Sequence, residues 1–156
     1  MPVHKIRRLL AGRRYHVLHL CQATLALIYA SASLRLFGYG STLRHIQASC
    51  RLRQAMPAGL SYHGGAPTLV RAVHIVMRLA PQSITCLPRS CALFWLLAWH
   101  GFNPRICFGV QIREHGIEAH AWVELDGVAL GEPADVRDLF RPLRGTDCRR
   151  SSSAVA

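Results

Sequence analysis

The sequence predicts an α+β domain, with helices first and an antiparallel sheet after them. Three observations lead there. Up to about residue 100, apolar residues recur at helical spacing in stretches separated by glycine and proline. From Arg105 onward the apolar period changes to two. Asp126-Gly127, a hairpin signal, then separates two such alternating runs. The 156 residues and 51% apolar content fit one globular domain with a sizeable core and exclude a disordered chain. No repeat or long linker divides it. A helical N-terminal part covers 17–57, a core 66–140, and a polar tail, expected to be mobile, 145–156.

Residues 17–36 read as one long helix that Gly38 and Gly40 break. Its first part, 17–34, has no charged residue and follows basic ones, a pattern shared with signal peptides and marginal transmembrane helices. His19, Gln22, Thr24, Ser31 and Ser33 interrupt the apolar run. The reading is therefore a helix packed on the domain or lying at an interface, in preference to export. A short basic helix over 42–55 stops before Pro57, and the Gly-rich stretch 59–67 is loop. Leu69, Val70, Val73, Val76, Met77 and Ala80 then fall at helical spacing, ended by Pro81. A central helix runs from about Pro88 to Trp99, with Gly101 suited to its C-terminal cap.

Three strands follow. In 105–112, Ile106, Phe108, Val110 and Ile112 alternate with Arg105, Cys107, Gly109 and Gln111. In 117–124, Ile117, Ala119, Ala121 and Val123 alternate with Glu118, His120, Trp122 and Glu124. The third strand is 128–132.

Nineteen Lys+Arg against eight Asp+Glu give a net charge of +11, and Lys5 is the only lysine. That excess favours an anionic partner. The basic residues are spread along the chain without aromatic interleaving, so nucleic-acid binding is disfavoured. The six cysteines include no CxxC pair, and no His pair lies near a Cys pair at zinc-finger spacing, so no metal site is expected. A reduced, cytoplasmic protein is the default expectation.

Cys86 begins the central helix, because Pro88 is tolerated in a first helical turn. A helix N-terminus and a nearby imidazolium both favour a thiolate, and the Cys86 backbone N–H can help bind an oxyanion. Cys91 lies inside the apolar helix and reads as core; Cys107 falls on the polar face of its strand and has no evident role. His120, between two alanines, is the candidate base, with Trp122 on the same face as a cover. The acid is sought on the neighbouring strand. A three-residue loop, Leu125-Asp126-Gly127, sets His120 opposite Glu132; a two-residue Asp126-Gly127 turn sends Glu132 to the other face. Asp126 lies roughly 20 Å along the strand from His120, and Asp135 requires the strand to bend. Cys86, His120 and Glu132 thus form a candidate Cys–His–carboxylate triad.

"CLPRSCALFWLLAWHGFNPRICFGV" followed by "EAHAWVELDGVALGE" resembles the lasso-peptide leader peptidases, stand-alone transglutaminase-like cysteine proteases. The resemblance covers 84–132 closely and about 17–140 more loosely. It implies a transglutaminase-like, papain-related fold and cleavage of one peptide bond, which releases the leader from a lasso-peptide precursor. Cys86 would attack the carbonyl, His120 would move the proton and Glu132 would orient His120; the family commonly carries Asp at this third position. No cofactor is implied. The implied partners are the precursor, a separate leader-binding recognition protein and a lasso cyclase, which, unlike this chain, would need ATP. The basic surface and N-terminal helix would serve that complex or a membrane surface. Two other classes share these features: an acyltransferase of the same superfamily, and a non-catalytic membrane-associated scaffold.

Overall fold

The computed structural model describes residues 3–55, 65–80, 84–114 and 116–143, with side chains of the first helix from 17 to 53. The Gly-rich stretch 59–64, Gln82, His115 and the tail 145–156 lie outside the described residues. In order the elements are α1 (Val3–Ala55), α2 (Ala66–Leu79), α3 (Cys86–Trp99), β1 (Arg105–Arg113), β2 (Gly116–Leu125), β3 (Val128–Ala129), α4 (Val136–Leu139) and β4 (Arg141–Pro142). The expected α+β order, helices then an antiparallel sheet, is the observed one.

α1 is longer than expected and is interrupted at Gly38 alone, where φ is 74° and ψ 175°. Only glycine enters that region without strain. The break is held by two hydroxyls: Thr42 Oγ1 donates to the Gly38 carbonyl at 2.8 Å, and Ser33 Oγ lies 2.8 Å from Thr42 Oγ1. Gly40 stays helical. Ala23, Ala26, Leu27 and Ala30 form the buried stripe of α1, with Ile46 and Cys50 buried beyond the kink. Small residues let α1 lie close against α2 and α3. The opposite face leaves Leu18, Leu25, Ile28 and Leu36 exposed. By length and composition the helix could cross a membrane: its most apolar 18-residue window has mean hydropathy 1.5, and a third of that window is buried in the domain.

α3 ends as the sequence predicts. Gly101 has φ +89°, its N–H bonds the Ala98 carbonyl at 3.1 Å and Phe102 N–H bonds Leu97 at 3.0 Å. That pair of bonds is a Schellman cap. Leu93, Leu96 and Leu97 of α3, with Leu69 and Val73 of α2 and Val123 of β2, form the main core between the helices and one face of the sheet.

The sheet is antiparallel in the order β3-β2-β1-β4. Its second face departs from the sequence reading. Cys107, Trp122 and Glu124, placed on a polar face by alternation, are buried at 0%, 0% and 3% exposure. The cause is a second layer: Val136 of α4 and Phe140 pack over Cys107 and Trp122. Glu124 accepts hydrogen bonds from Trp122 Nε1 (2.9 Å) and Arg137 Nε (2.7 Å), so its buried charge is met by a cation and a donor. Arg137 Nη2 also donates to the Gly127 carbonyl at 2.6 Å, tying α4 to the hairpin. The cysteines depart from the fully reduced expectation as well. Cys21, Cys50, Cys86 and Cys91 are free, whereas Cys107 is disulfide-bonded.

The β2–β3 turn is the two-residue form. Leu125 pairs with Val128 and Glu124 with Ala129, and Asp126 (φ 50°) and Gly127 (φ 81°) both take left-handed conformations, as a type I′ turn demands. The three-residue loop needed for a direct His120–Glu132 cross-strand pair is absent. β3 is also shorter than expected, with its ladder ending at Ala129.

Candidate active site

Cys86 is the first residue of α3, half-buried and unpaired. The residue before it, Thr85, is extended (φ −86°, ψ −176°) and makes no side-chain cap, and no acidic side chain occupies the first turn. The helix therefore presents N–H groups at Cys86 to a negative charge developing there. Cys91, five residues on, is the contrasting thiol. Burial pushes it up to about 12, as befits an inert core residue.

The face of α3 that carries Cys86 continues through Arg89 and Ser90, at i+3 and i+4. Both reach the sheet. Ser90 Oγ donates to the Ala121 carbonyl at 2.8 Å in a buried contact, fixing α3 against the strand residue next to His120. Arg89 Nη2 donates to Oε1 of Glu132.

His120 projects from β2 opposite Gly109 of β1. A Cβ at Gly109 would meet Phe140 Cβ at 2.8 Å and the Phe140 carbonyl at 3.0 Å, so glycine here lets the Phe140 segment lie close. Phe140 then covers His120, with ring centroids 4.9 Å apart, and Trp122 stacks at 6.1 Å. His120 Nε2 lies 3.1 Å from Oε2 of Glu132. With Nε2–H donating to the carboxylate, Nδ1 carries the lone pair of the neutral ring and is the nitrogen free to accept a proton.

Two-residue turn geometry alone would send Glu132 to the wrong face. Gly131 corrects it. The last backbone bond to β2 is Leu130 N–H to the Val123 carbonyl at 2.9 Å, and Gly131 then adopts φ +68°, turning the chain so that Glu132 swings back under His120. The Glu132 side chain is 8% exposed, and its two oxygens are divided between Arg89 and His120. Asp126 sits in the exposed turn and Asp135 is exposed before α4; neither bonds His120.

His74 of α2 closes the far side. A Cβ on Gly131 would meet its Nε2 at 2.6 Å. Burial and the cations Arg89 and Arg78 hold His74 below the usual histidine range, against an opposing pull from Glu132. Sequence reasoning missed Arg89, Ser90, His74 and the roles of Gly109 and Gly131. Arg89 and Ser90 carried a signal, since their spacing from Cys86 places them on its helix face; His74 is joined to the site only by tertiary packing. Among the described residues no three His, Cys, Asp or Glu side chains gather to hold a metal.

The geometry amounts to an unpaired cysteine at an open helix N-terminus, a histidine on the adjoining strand, and a buried carboxylate that holds the histidine and is itself held by an arginine from the cysteine helix. Residues 26–145 match the family model described as the transglutaminase-like superfamily. No curated protein and no solved structure matches the chain.

Proposed function

The chain belongs to the transglutaminase-like superfamily, and from that premise we propose that it is a cysteine peptidase that removes the leader from a lasso-peptide precursor. The observation that supports catalysis most directly is the His120–Glu132 hydrogen bond, braced by Arg89 from the helix that starts at Cys86. The leader-peptidase assignment rests on the resemblance of residues 84–132 to that family.

In this reading the Cys86 thiol gives its proton to His120 Nδ1 as Sγ attacks the scissile carbonyl. The oxyanion forms where the Cys86 N–H and the open end of α3 can stabilise it. Collapse breaks the C–N bond, and the imidazolium returns the proton to the leaving amine. Water, deprotonated by His120, then hydrolyses the thioester and restores the thiol. Glu132 keeps Nε2 protonated and the ring in place throughout. The precursor reaches the chain on a separate leader-binding protein, and a lasso cyclase acts on the released core.

Mass spectrometry of the precursor encoded beside this gene, incubated with the leader-binding protein and either wild-type chain or Cys86→Ala, tests the proposal. A single cut between leader and core, lost in the variant, is expected. Formation of a new amide in place of two free ends would reassign the step to acyl transfer. An intact precursor in both arms, with the leader bound, would remove the peptidase reading.

A further inference from the structure

A cleft of about 490 Å³ runs between α2 and the segment 129–131 that leads into Glu132. Its size falls within the range of ligand and peptide clefts. Val70, Arg71, His74 and Arg78 of α2 line one side and Leu130 and Gly131 the other. The three basic residues stand at i, i+3 and i+7 of α2, so they form a single stripe along one helix face. Among the described residues no acidic residue lines the cleft, and neither Arg71 nor Arg78 makes an ion pair. The cleft adjoins the candidate site directly, because Gly131 lies against His74 on one side and precedes Glu132 on the other.

The opposite wall bears on the shape of the occupant. β3 is the edge strand of the sheet, and among the described residues no strand pairs with its outer side. Backbone groups on such an edge are a template for an added extended segment. The two arginines lie seven helical residues apart, about 10 Å along the axis, a span that roughly three extended residues cover.

We propose that this cleft binds an extended, acidic stretch of the peptide substrate, with Arg71 and Arg78 taking carboxylates spaced two to four residues apart. The proposal rests on the peptidase reading only for the statement that the bound peptide is the substrate. Binding itself is independent of catalysis, and that separates the two tests. Arg71 and Arg78 would also give the chain's net charge of +11 a local use, by steering an anionic segment to the flank of Glu132.

The test uses the full chain with Cys86→Ala, so that no turnover occurs, and two fluorescein-labelled synthetic octapeptides identical except that two Glu residues three apart in one are Gln in the other. Binding is read by fluorescence anisotropy. The Glu peptide is expected to bind about tenfold more tightly than the Gln peptide, with affinity falling as salt rises. Arg71→Gln/Arg78→Gln should remove most of that preference. Arg35→Gln/Arg51→Gln, which lowers net charge equally from exposed positions on α1, should keep it. Circular dichroism and unfolding temperature confirm that both variants fold, and single Arg71→Gln and Arg78→Gln chains replace the double variant if it does not. Equal affinity for the two peptides, or equal loss in the cleft and control variants, would overturn the proposal and leave the cleavage experiment above untouched.

Discussion

Gly131→Ala should uncouple Glu132 from His120. At φ +68° a residue with a Cβ costs about 1–2 kcal/mol relative to glycine. The new methyl would also sit 2.6 Å from His74 Nε2 and 3.0 Å from Val70 Cγ1. The imidazole is the far end of a side chain and can rotate away, at about 0.5–1.5 kcal/mol for leaving its rotamer. Together these give about 1.5–3.5 kcal/mol, or a fall of roughly 5–10 °C in unfolding temperature for a chain this long. The double variant His74→Ala/Gly131→Ala separates the contributions. In the His74→Ala background the glycine substitution should cost only the backbone share and the Val70 contact, leaving an interaction energy of about 0.5–1.5 kcal/mol. Urea unfolding of the four chains reads these values, and peptide cleavage should fall in kcat more than in KM, because the histidine loses its orienting partner while substrate contacts remain. If Gly131→Ala unfolds within about 0.5 kcal/mol of wild type and cleaves normally, the left-handed break is not what brings Glu132 to His120.

Four further outcomes follow from the same geometry. Arg89→Met leaves the Glu132 carboxylate, its side chain 8% exposed, with His120 as its remaining partner among the described residues; a stability loss of about 1–3 kcal/mol and a fall in kcat are expected by urea titration and cleavage kinetics. Ser90→Ala leaves the Ala121 carbonyl without its buried donor and should cost about 1–3 kcal/mol, measured by the same titration. Glu132→Asp shortens the reach by one methylene, about 1.5 Å, so the carboxylate cannot keep both Arg89 and His120; activity should drop at least tenfold, with little change in KM, in steady-state kinetics. Burial, then His19 and Arg53, hold His100 below its ordinary value of 6.5. The unfolded chain therefore binds more protons as pH falls through 6.5, and stability present above that value is lost below it; thermal unfolding at about pH 8 and about pH 5.5 should show the loss, diminished in His100→Gln.

What the sequence made legible, and what it hid, divides along physical lines. Helices α2 and α3 showed themselves by period and punctuation, and Gly101 marked its cap because a left-handed C-terminal residue is a local requirement. The strands were legible as strands, but their faces were not. Alternation separates inside from outside only where one face meets water, and here the second face is covered by α4 and Phe140. That cover, a four-residue helix and the residue that caps it, is too short to leave a period of its own. Leu125-Asp126-Gly127-Val128 is compatible with two loop types, and the observed one is the one that, extended in regular register, would have separated His120 from Glu132.

That His120 and Glu132 meet despite this register shows what kind of constraint forms the site. In a regular hairpin the facing of residue 132 would follow from the turn alone, and a one-residue change would exchange the faces. In this chain the pairing ends with the Leu130 N–H bond to Val123, and a single left-handed glycine, Gly131, resets the direction. Position 132 is then chosen by what it can reach, not by strand parity. Glutamate suits a carboxylate that leaves the strand and must span two donors on different elements, Arg89 on α3 and His120 on β2. The same arginine ties the acid to the helix whose first residue is Cys86. A shift of α3 along the sheet would therefore disturb the thiol and the histidine's orienting partner together, and Ser90, bonded to Ala121, resists that shift. His120 and Glu132 come from different segments, and two side chains one turn into the cysteine helix tie that helix to each: Arg89 to Glu132 itself and Ser90 to the residue beside His120.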